Sequence, residues 1–219
     1  MRTVVAVPVK DLVNAKQRLT AVLSAAERAE LARAMLEDVL ATLCAAPLDA
    51  VHVVTRDPEV IAHVRRAGVA TVLTEESNRG HSQAVLRAQT EAARAGVDAF
   101  LTIPGDVPCV TPGEVEALLG AAAAAERCAV FVPSASGDGT NAALLRPPLL
   151  MTLKFGEPSF ANHLVAARRH EVEPVVLRLP GLALDIDGPE DLRALLDREG
   201  ATRSRALLVA IGARERLGS

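Results

Sequence analysis

Short runs rich in β-branched and apolar residues, Val4 to Val9, Val51 to Thr55, Ala70 to Leu73 and Ala99 to Ile103, alternate with stretches that carry helix-start signals or helical periodicity. Ser24-Ala-Ala-Glu27 and Thr111-Pro-Gly-Glu114 read as capping boxes, and Asp57-Pro58 as an N-cap with proline in the first turn. After Ser24, Leu31, Met35, Val39 and Leu43 recur along one helical face. An Ala-rich helix ends near Gly96, the helix opened by Thr111 runs to about Glu126, and a strand returns at Ala129 to Val132. Repetition of strand then helix predicts α/β architecture: a three-layer α/β/α sandwich around a mostly parallel, Rossmann-like sheet covered on both faces.

The rhythm breaks at Ser134-Ala-Ser-Gly-Asp-Gly-Thr-Asn141, followed by a strand-like Ala142 to Leu145 and Pro147-Pro148, which predicts a small inserted β element. Beyond it, Ser159 is expected to cap a helix through Leu164 and Ala167, and Val175 to Leu177 and Leu182 to Ile186 read as strands. Residues 1–199 form one domain on this reading. Residues 200–219 form a C-terminal tail that could fold into a helix packed on the domain or on a second subunit of a homodimer.

Composition narrows the function. Lys+Arg 24 against Asp+Glu 27 gives a formal charge of -3, so nothing marks a basic surface made for nucleic acid or an anionic membrane. Aromatic residues make up 2% and Trp and Tyr are absent, which removes the stacking platforms of single-strand binders. No run of eighteen apolar residues and no signal-peptide pattern occurs, which points to a soluble, cytoplasmic protein. Cys44, Cys109 and Cys128 are odd in number and lack Cys-x-x-Cys spacing, against a disulfide framework or a structural zinc site.

Chemistry-bearing residues cluster at predicted strand ends. In open α/β sheets ligands bind outside the carboxyl ends of strands. The run at Ala99 to Ile103 stops at Pro104-Gly105-Asp106, where Asp106 either holds a hard cation such as Mg²⁺ or caps a turn. Leu184-Asp-Ile-Asp187 supplies a second acidic end, and carboxylates drawn together without a cation would repel and raise each other's pKa. The first strand leads into a loop with Lys10, Lys16 and Arg18, which suits a nucleotide's phosphates although no P-loop or Gly-x-Gly-x-x-Gly motif is present. Asn78, Gly80, Ser82 and Gln83 lie in a polar strand-to-helix loop that could contact base or ribose, or simply be solvated; His81 is ambiguous. Thr140, between glycine-rich turn and strand, and Gly156 and Ser159 at a helix start, offer hydroxyl and N–H groups for an anion.

These segments together resemble a known family. Val7-Pro-Val-Lys10 with Ala15-Lys-Gln-Arg-Leu19, Gly105-Asp-Val-Pro108, Gly137-Asp-Gly-Thr-Asn141, Phe155-Gly-Glu-Pro-Ser-Phe-Ala-Asn-His163 and Leu184-Asp-Ile-Asp-Gly-Pro-Glu-Asp-Leu192 are similar to the guanylyltransferases of deazaflavin coenzyme F(420) biosynthesis. That family has the molybdopterin-guanylyltransferase-like fold of the nucleotide-diphospho-sugar transferases. The resemblance implies transfer of GMP from GTP to the phosphate of 2-phospho-L-lactate, phosphoenolpyruvate or 3-phospho-D-glycerate, with release of pyrophosphate. It further implies Mg²⁺ on Asp106 and Asp187, with Asp185 as the alternative ligand, the triphosphate on Lys16, and the acceptor acid on Thr140, Gly156 and Ser159. Where the family has Leu-Asn then Ala after the third strand, this chain has His81-Ser82-Gln83-Ala84. Two other readings stay open, a nucleotidyltransferase for a sugar phosphate or pterin and a non-catalytic nucleotide-binding regulatory domain.

Overall fold

A computed structural model describes residues 1–12, 15–74 and 80–218. The chain runs β1 (Thr3–Pro8), a 3₁₀ turn at Gln17–Leu19, α1 (Ala25–Ala45), β2 (Ala50–Thr55), α2 (Pro58–Ala67), β3 (Thr71–Thr74), α3 (His81–Arg94), β4 (Ala99–Thr102) and α4 (Pro112–Ala123). It continues through β5 (Cys128–Pro133), β6 (Thr140–Arg146), α5 (Ser159–Arg169), β7 (Val175–Val176), α6 (Pro180–Ala183), α7 (Pro189–Asp197), α8 (Arg203–Ala210) and α9 (Ala213–Arg216). The strands form one sheet in the order β3-β2-β1-β4-β6-β5-β7. Pairing is parallel for β1 with β2 and β4, β2 with β3, and β5 with β7.

Both faces of the central strands β1, β4, β5 and β6 are buried, which is why these strands are largely apolar rather than alternating, whereas the edge strands β3 and β7 are partly exposed. Along β1, Val5 and Val7 join one core with side chains of α1, α2, α4, α7 and α8, while Val4 and Ala6 join a second core with α3 and α5. This is the three-layer sandwich. Both expected capping boxes are formed, Ser24 with Glu27 and Thr111 with Glu114, and Asp57 caps α2.

The element that breaks the rhythm is β6, which lies between β4 and β5, antiparallel to both, with six of its seven residues buried. Its central place brings the preceding glycine turn and Thr140 to the edge of the sheet where Asp106 stands. Leu182 to Ile186 is not a strand. Pro180 starts the short helix α6, and the chain leaves it held by single backbone bonds, Ala135 N–H to Ala183 O at 2.8 Å and Ile186 N–H to Asp106 O at 3.0 Å. Leu182 and Ile186 are fully buried, so the apolar pattern reflects packing without a ladder.

The C-terminal tail docks on α1. Asp38 accepts from Arg203 N–H (2.8 Å), Ser204 N–H (3.0 Å) and Ser204 Oγ–H (2.7 Å), and Leu208 is fully buried.

Gly181 couples α4 to the segment that carries Asp185 and Asp187. Its N–H donates to Glu114 Oε1 at 2.6 Å, and a β-carbon there would collide with the Cys109 backbone and the Glu114 carboxylate. Gly181→Ala is therefore expected to cost about 1–3 kcal/mol, the usual range for overpacking, in urea unfolding. The same variant should lower turnover although Gly181 lines none of the cavities described below; wild-type stability would show that the contact is slack.

Candidate active site

The site lies where the ends of β1 and β4 meet the segment after α6. Lys16 is central to it. Its backbone is left-handed (φ 55°), a conformation costly for a residue with a β-carbon, and its side chain is 8% exposed. The ammonium donates to Asp106 Oδ2 at 2.6 Å and to Asp187 Oδ1 at 2.8 Å. Burial alone would lower the Lys16 pKa, but the two carboxylates outweigh it and hold it above its ordinary value. Burial pushes the Asp106 carboxyl up, but Lys16, by charge and hydrogen bond, carries it below the usual range.

This corrects the expectation of mutual repulsion between Asp106 and Asp187. A cation of the chain's own already sits between them. Asp185 is different: burial first, then the charges of Asp106 and Asp187, raise its pKa, while Asn141 Nδ2 donates to its Oδ1 at 2.9 Å. The same amide donates to the carbonyls of Leu182 (3.0 Å) and Ala183 (3.1 Å), so Asn141 fixes the acidic segment onto β6. The backbone N–H groups of Asp187 and Gly188 donate to Asp191 Oδ2 at 2.9 and 2.7 Å, which sets the other side of that turn.

Two cavities meet at these carboxylates. One, of about 610 Å³, is lined by Lys10, Lys16, Arg18, Asp106 and Asp187, with Met35 and Leu36 of α1. The other, of about 650 Å³, is lined by Ser82, Thr140, Asn141, Gly156, Ser159, Asp185 and Asp187 among others. Lys10, Arg18, His81, Pro104, Asp106 and Asp187 line both. A narrow cleft between Val54, Arg56, Gly80, His81 and Ala84 adjoins them.

The expected site residues are thus largely gathered, with differences. Lys10 and Arg18 are exposed on the rim. Gly80, at φ 88°, immediately precedes α3. Asn78 lies outside the described residues. Ser82 lines the second cavity, and its Oγ accepts from Phe155 N–H at 2.8 Å. Gly156 has φ 114°, a region open to glycine but strained for other residues. Ser159 does not cap α5; it is the first helical residue, and its Oγ–H donates to Thr140 Oγ1 at 3.3 Å.

Two histidines meet at Phe155: His81 lines the cavities, and His163 is buried behind them. Burial lowers His81 to about 4, assisted by Lys10 and opposed by Asp106, and His81 stands edge-on to Phe155 with centroids 4.4 Å apart. Burial likewise lowers His163 to about 4. The ring of His163 stacks on Phe131 at 5.4 Å and meets Phe155 edge-on at 5.2 Å. Asn141 and His163 stood inside recognisable segments, but their partners are distant in sequence, so neither could be assigned from spacing.

Comparison with known proteins supplies the family. Residues 3–215 match the family model described as "Guanylyl transferase CofC like". The chain belongs to that family. It is 41% identical over 196 residues to the phosphoenolpyruvate guanylyltransferase of Sphaerobacter thermophilus, covering 89% of this chain and 93% of the relative. It is 34% identical over 208 residues to the 2-phospho-L-lactate guanylyltransferase of Methanothermobacter thermautotrophicus, covering 95% and 90%. Among solved structures, a nucleotide-diphospho-sugar transferase type of protein from Desulfovibrio desulfuricans G20 superimposes with TM-score 0.79 at 18% identity, over 99% of both chains. A 4-diphosphocytidyl-2C-methyl-D-erythritol synthase gives TM-score 0.63 at 16% identity over 94% of this chain and 98% of that one. The fold is thus of the nucleotidyltransferase type, and membership of the guanylyl transferase family makes this chain a nucleotidyltransferase. Among the described residues no helix is long and apolar enough to cross a membrane.

Both histidines fold with pKa about 4 against an ordinary 6.5, so between pH 6.5 and 4 the folded state binds fewer protons than the unfolded. Stability is full above pH 6.5 and falls as pH drops through that window. Urea unfolding should lose on the order of 2 kcal/mol per histidine between pH 6.5 and 4.5. His81→Leu should remove about half of that loss; an unchanged slope would place the proton uptake elsewhere.

Proposed function

We propose that this guanylyl transferase moves GMP from GTP onto the phosphate of a small phosphorylated acid of the phosphoenolpyruvate, 2-phospho-L-lactate or 3-phospho-D-glycerate type, in deazaflavin coenzyme biosynthesis. The observation that carries this reading is the meeting of two cavities at Asp106 and Asp187. One cavity holds Lys16, the other the hydroxyls and helix N-terminus of the acceptor side, and Lys10 and Arg18 border both. In this reading the triphosphate lies against Lys10, Lys16 and Arg18, and the acceptor against Thr140, Gly156 and Ser159. The relatives act on phosphoenolpyruvate and 2-phospho-L-lactate by name, which supports an acceptor carrying both phosphate and carboxylate.

The donor set fits Mg²⁺. Asp106 and Asp187 face one cation, Lys16 Nζ, within 2.8 Å, and a hard ion needs only one or two protein carboxylates beside water and phosphate oxygens. Asp185, engaged by Asn141, is the less available third carboxylate. When bound, Mg²⁺ would supply electrostatic stabilisation of phosphate charge. The chain's own residues do the rest. Lys16, released from the carboxylates, can follow the charge that develops on departing pyrophosphate. α5 and Thr140 orient the acceptor so that its phosphate oxygen faces the α-phosphorus of GTP. That oxygen bonds to the α-phosphorus as the bond to the β-phosphate's bridging oxygen breaks. No general base is required, because the acceptor phosphate is ionised near neutral pH.

Pyrophosphate should appear when GTP, Mg²⁺ and one of the three phospho-acids are mixed with the enzyme, and a sugar phosphate should leave the background rate unchanged. Turnover with the sugar phosphate alone would overturn the acceptor assignment. Lys16→Ala is expected to lower kcat about 100-fold or more, a typical loss for a group that stabilises transition-state charge, with acceptor KM changed far less. A normal kcat would leave Lys16 a structural clamp only.

A further inference from the structure

We infer that His163 is a positioning residue that makes the Thr140 hydroxyl an obligate hydrogen-bond donor to the acceptor substrate. The inference rests on the reading of the Thr140 cavity as the acceptor site. His163 is 1% exposed and touches neither large cavity. Its Nε2 accepts the backbone N–H of Lys154 at 3.1 Å, which leaves no room for a proton on that nitrogen. A neutral imidazole must then carry its proton on Nδ1, and Nδ1 lies 3.0 Å from Thr140 Oγ1. Nδ1–H therefore donates to Thr140.

Ser159 Oγ–H donates to the same oxygen at 3.3 Å. A hydroxyl oxygen has two lone pairs and one proton, so both acceptor positions of Thr140 are filled. Among the described residues none accepts the remaining proton, and the cavity Thr140 lines is where an acceptor can be found. An anionic oxygen placed there meets a donor whose direction is already set. The ring is held in orientation by Phe131 stacked at 9° and Phe155 edge-on at 73°. The Lys154 bond also ties this device to the loop that carries Gly156, so the two acceptor-side groups are placed by one ring.

Asparagine and glutamine separate this role from simple packing, because the asparagine amide stands near the place of Nδ1 and the glutamine amide near that of Nε2. His163→Asn should keep acceptor KM within about threefold, whereas His163→Gln should raise it about tenfold or more with GTP KM unchanged. Added to Thr140→Val, His163→Gln should change acceptor KM by less than about twofold, since the two act through one bond. Nitrogen-15 NMR of the wild-type imidazole should show Nδ1 protonated and Nε2 bare at pH 7. Equal damage by Asn and Gln to both substrates, or an Nε2-protonated ring, would overturn the inference. Thr140→Val without effect on acceptor KM would overturn the acceptor reading itself, and the inference with it. Thr140→Val raising acceptor KM while His163→Gln does not would overturn the inference alone.

Discussion

A single ammonium between two carboxylates organises this molecule. Lys16 comes from the loop after β1, Asp106 from the turn after β4, and Asp187 from the irregular segment after α6. Three stretches far apart in sequence thus converge on one charge node, its ammonium buried and its Asp187 carboxylate half exposed. The two carboxylates outweigh the burial of the ammonium, and the left-handed backbone of Lys16 is the cost that the bridge carries. A positive charge and two carboxylates thus stand where the two cavities meet.

The supports around that node explain how the rest of the fold serves it. β6 enters the sheet antiparallel, and through Asn141 it pins the carbonyls of Leu182 and Ala183 and the carboxylate of Asp185. Gly181 sets the height of the same segment against α4. On the other wall, Ser82 of α3 holds Phe155, and Phe155 packs on both His81 and His163. The wall of the second cavity is therefore built by α3, α5 and β6 together. In this wall Ser82, Thr140, Ser159 and His163 are hydrogen-bonded, and the rings of His81, Phe155, His163 and Phe131 lie against one another.

Much of this was legible in the chain. The strand–helix alternation and its caps are local signals, and they gave the sandwich and the boundaries of α1, α2 and α4 to within a few residues. Asp106 was legible because it stands just past the apolar run Ala99 to Ile103, and Lys16 because it belongs to the cationic loop after the first strand. The segment 182–186 misled, since buried apolar residues look alike in a strand and in a packed irregular stretch. The Lys16 bridge was not legible, because no periodicity encodes which cation will reach two distant carboxylates. The same holds for Ser159, whose position suggested a cap while its hydroxyl went to Thr140.

The reaction proposed for this site joins two phosphates at this node. Its most direct measurement is phosphorus-31 NMR of a single turnover with GTP and phosphoenolpyruvate whose phosphate oxygens carry ¹⁸O. The account predicts pyrophosphate free of label and a new diphosphate pair of coupled resonances with ¹⁸O in the bridge, as attack by the acceptor oxygen on the α-phosphorus requires. Appearance of GDP and inorganic phosphate, or of label in pyrophosphate, would contradict it.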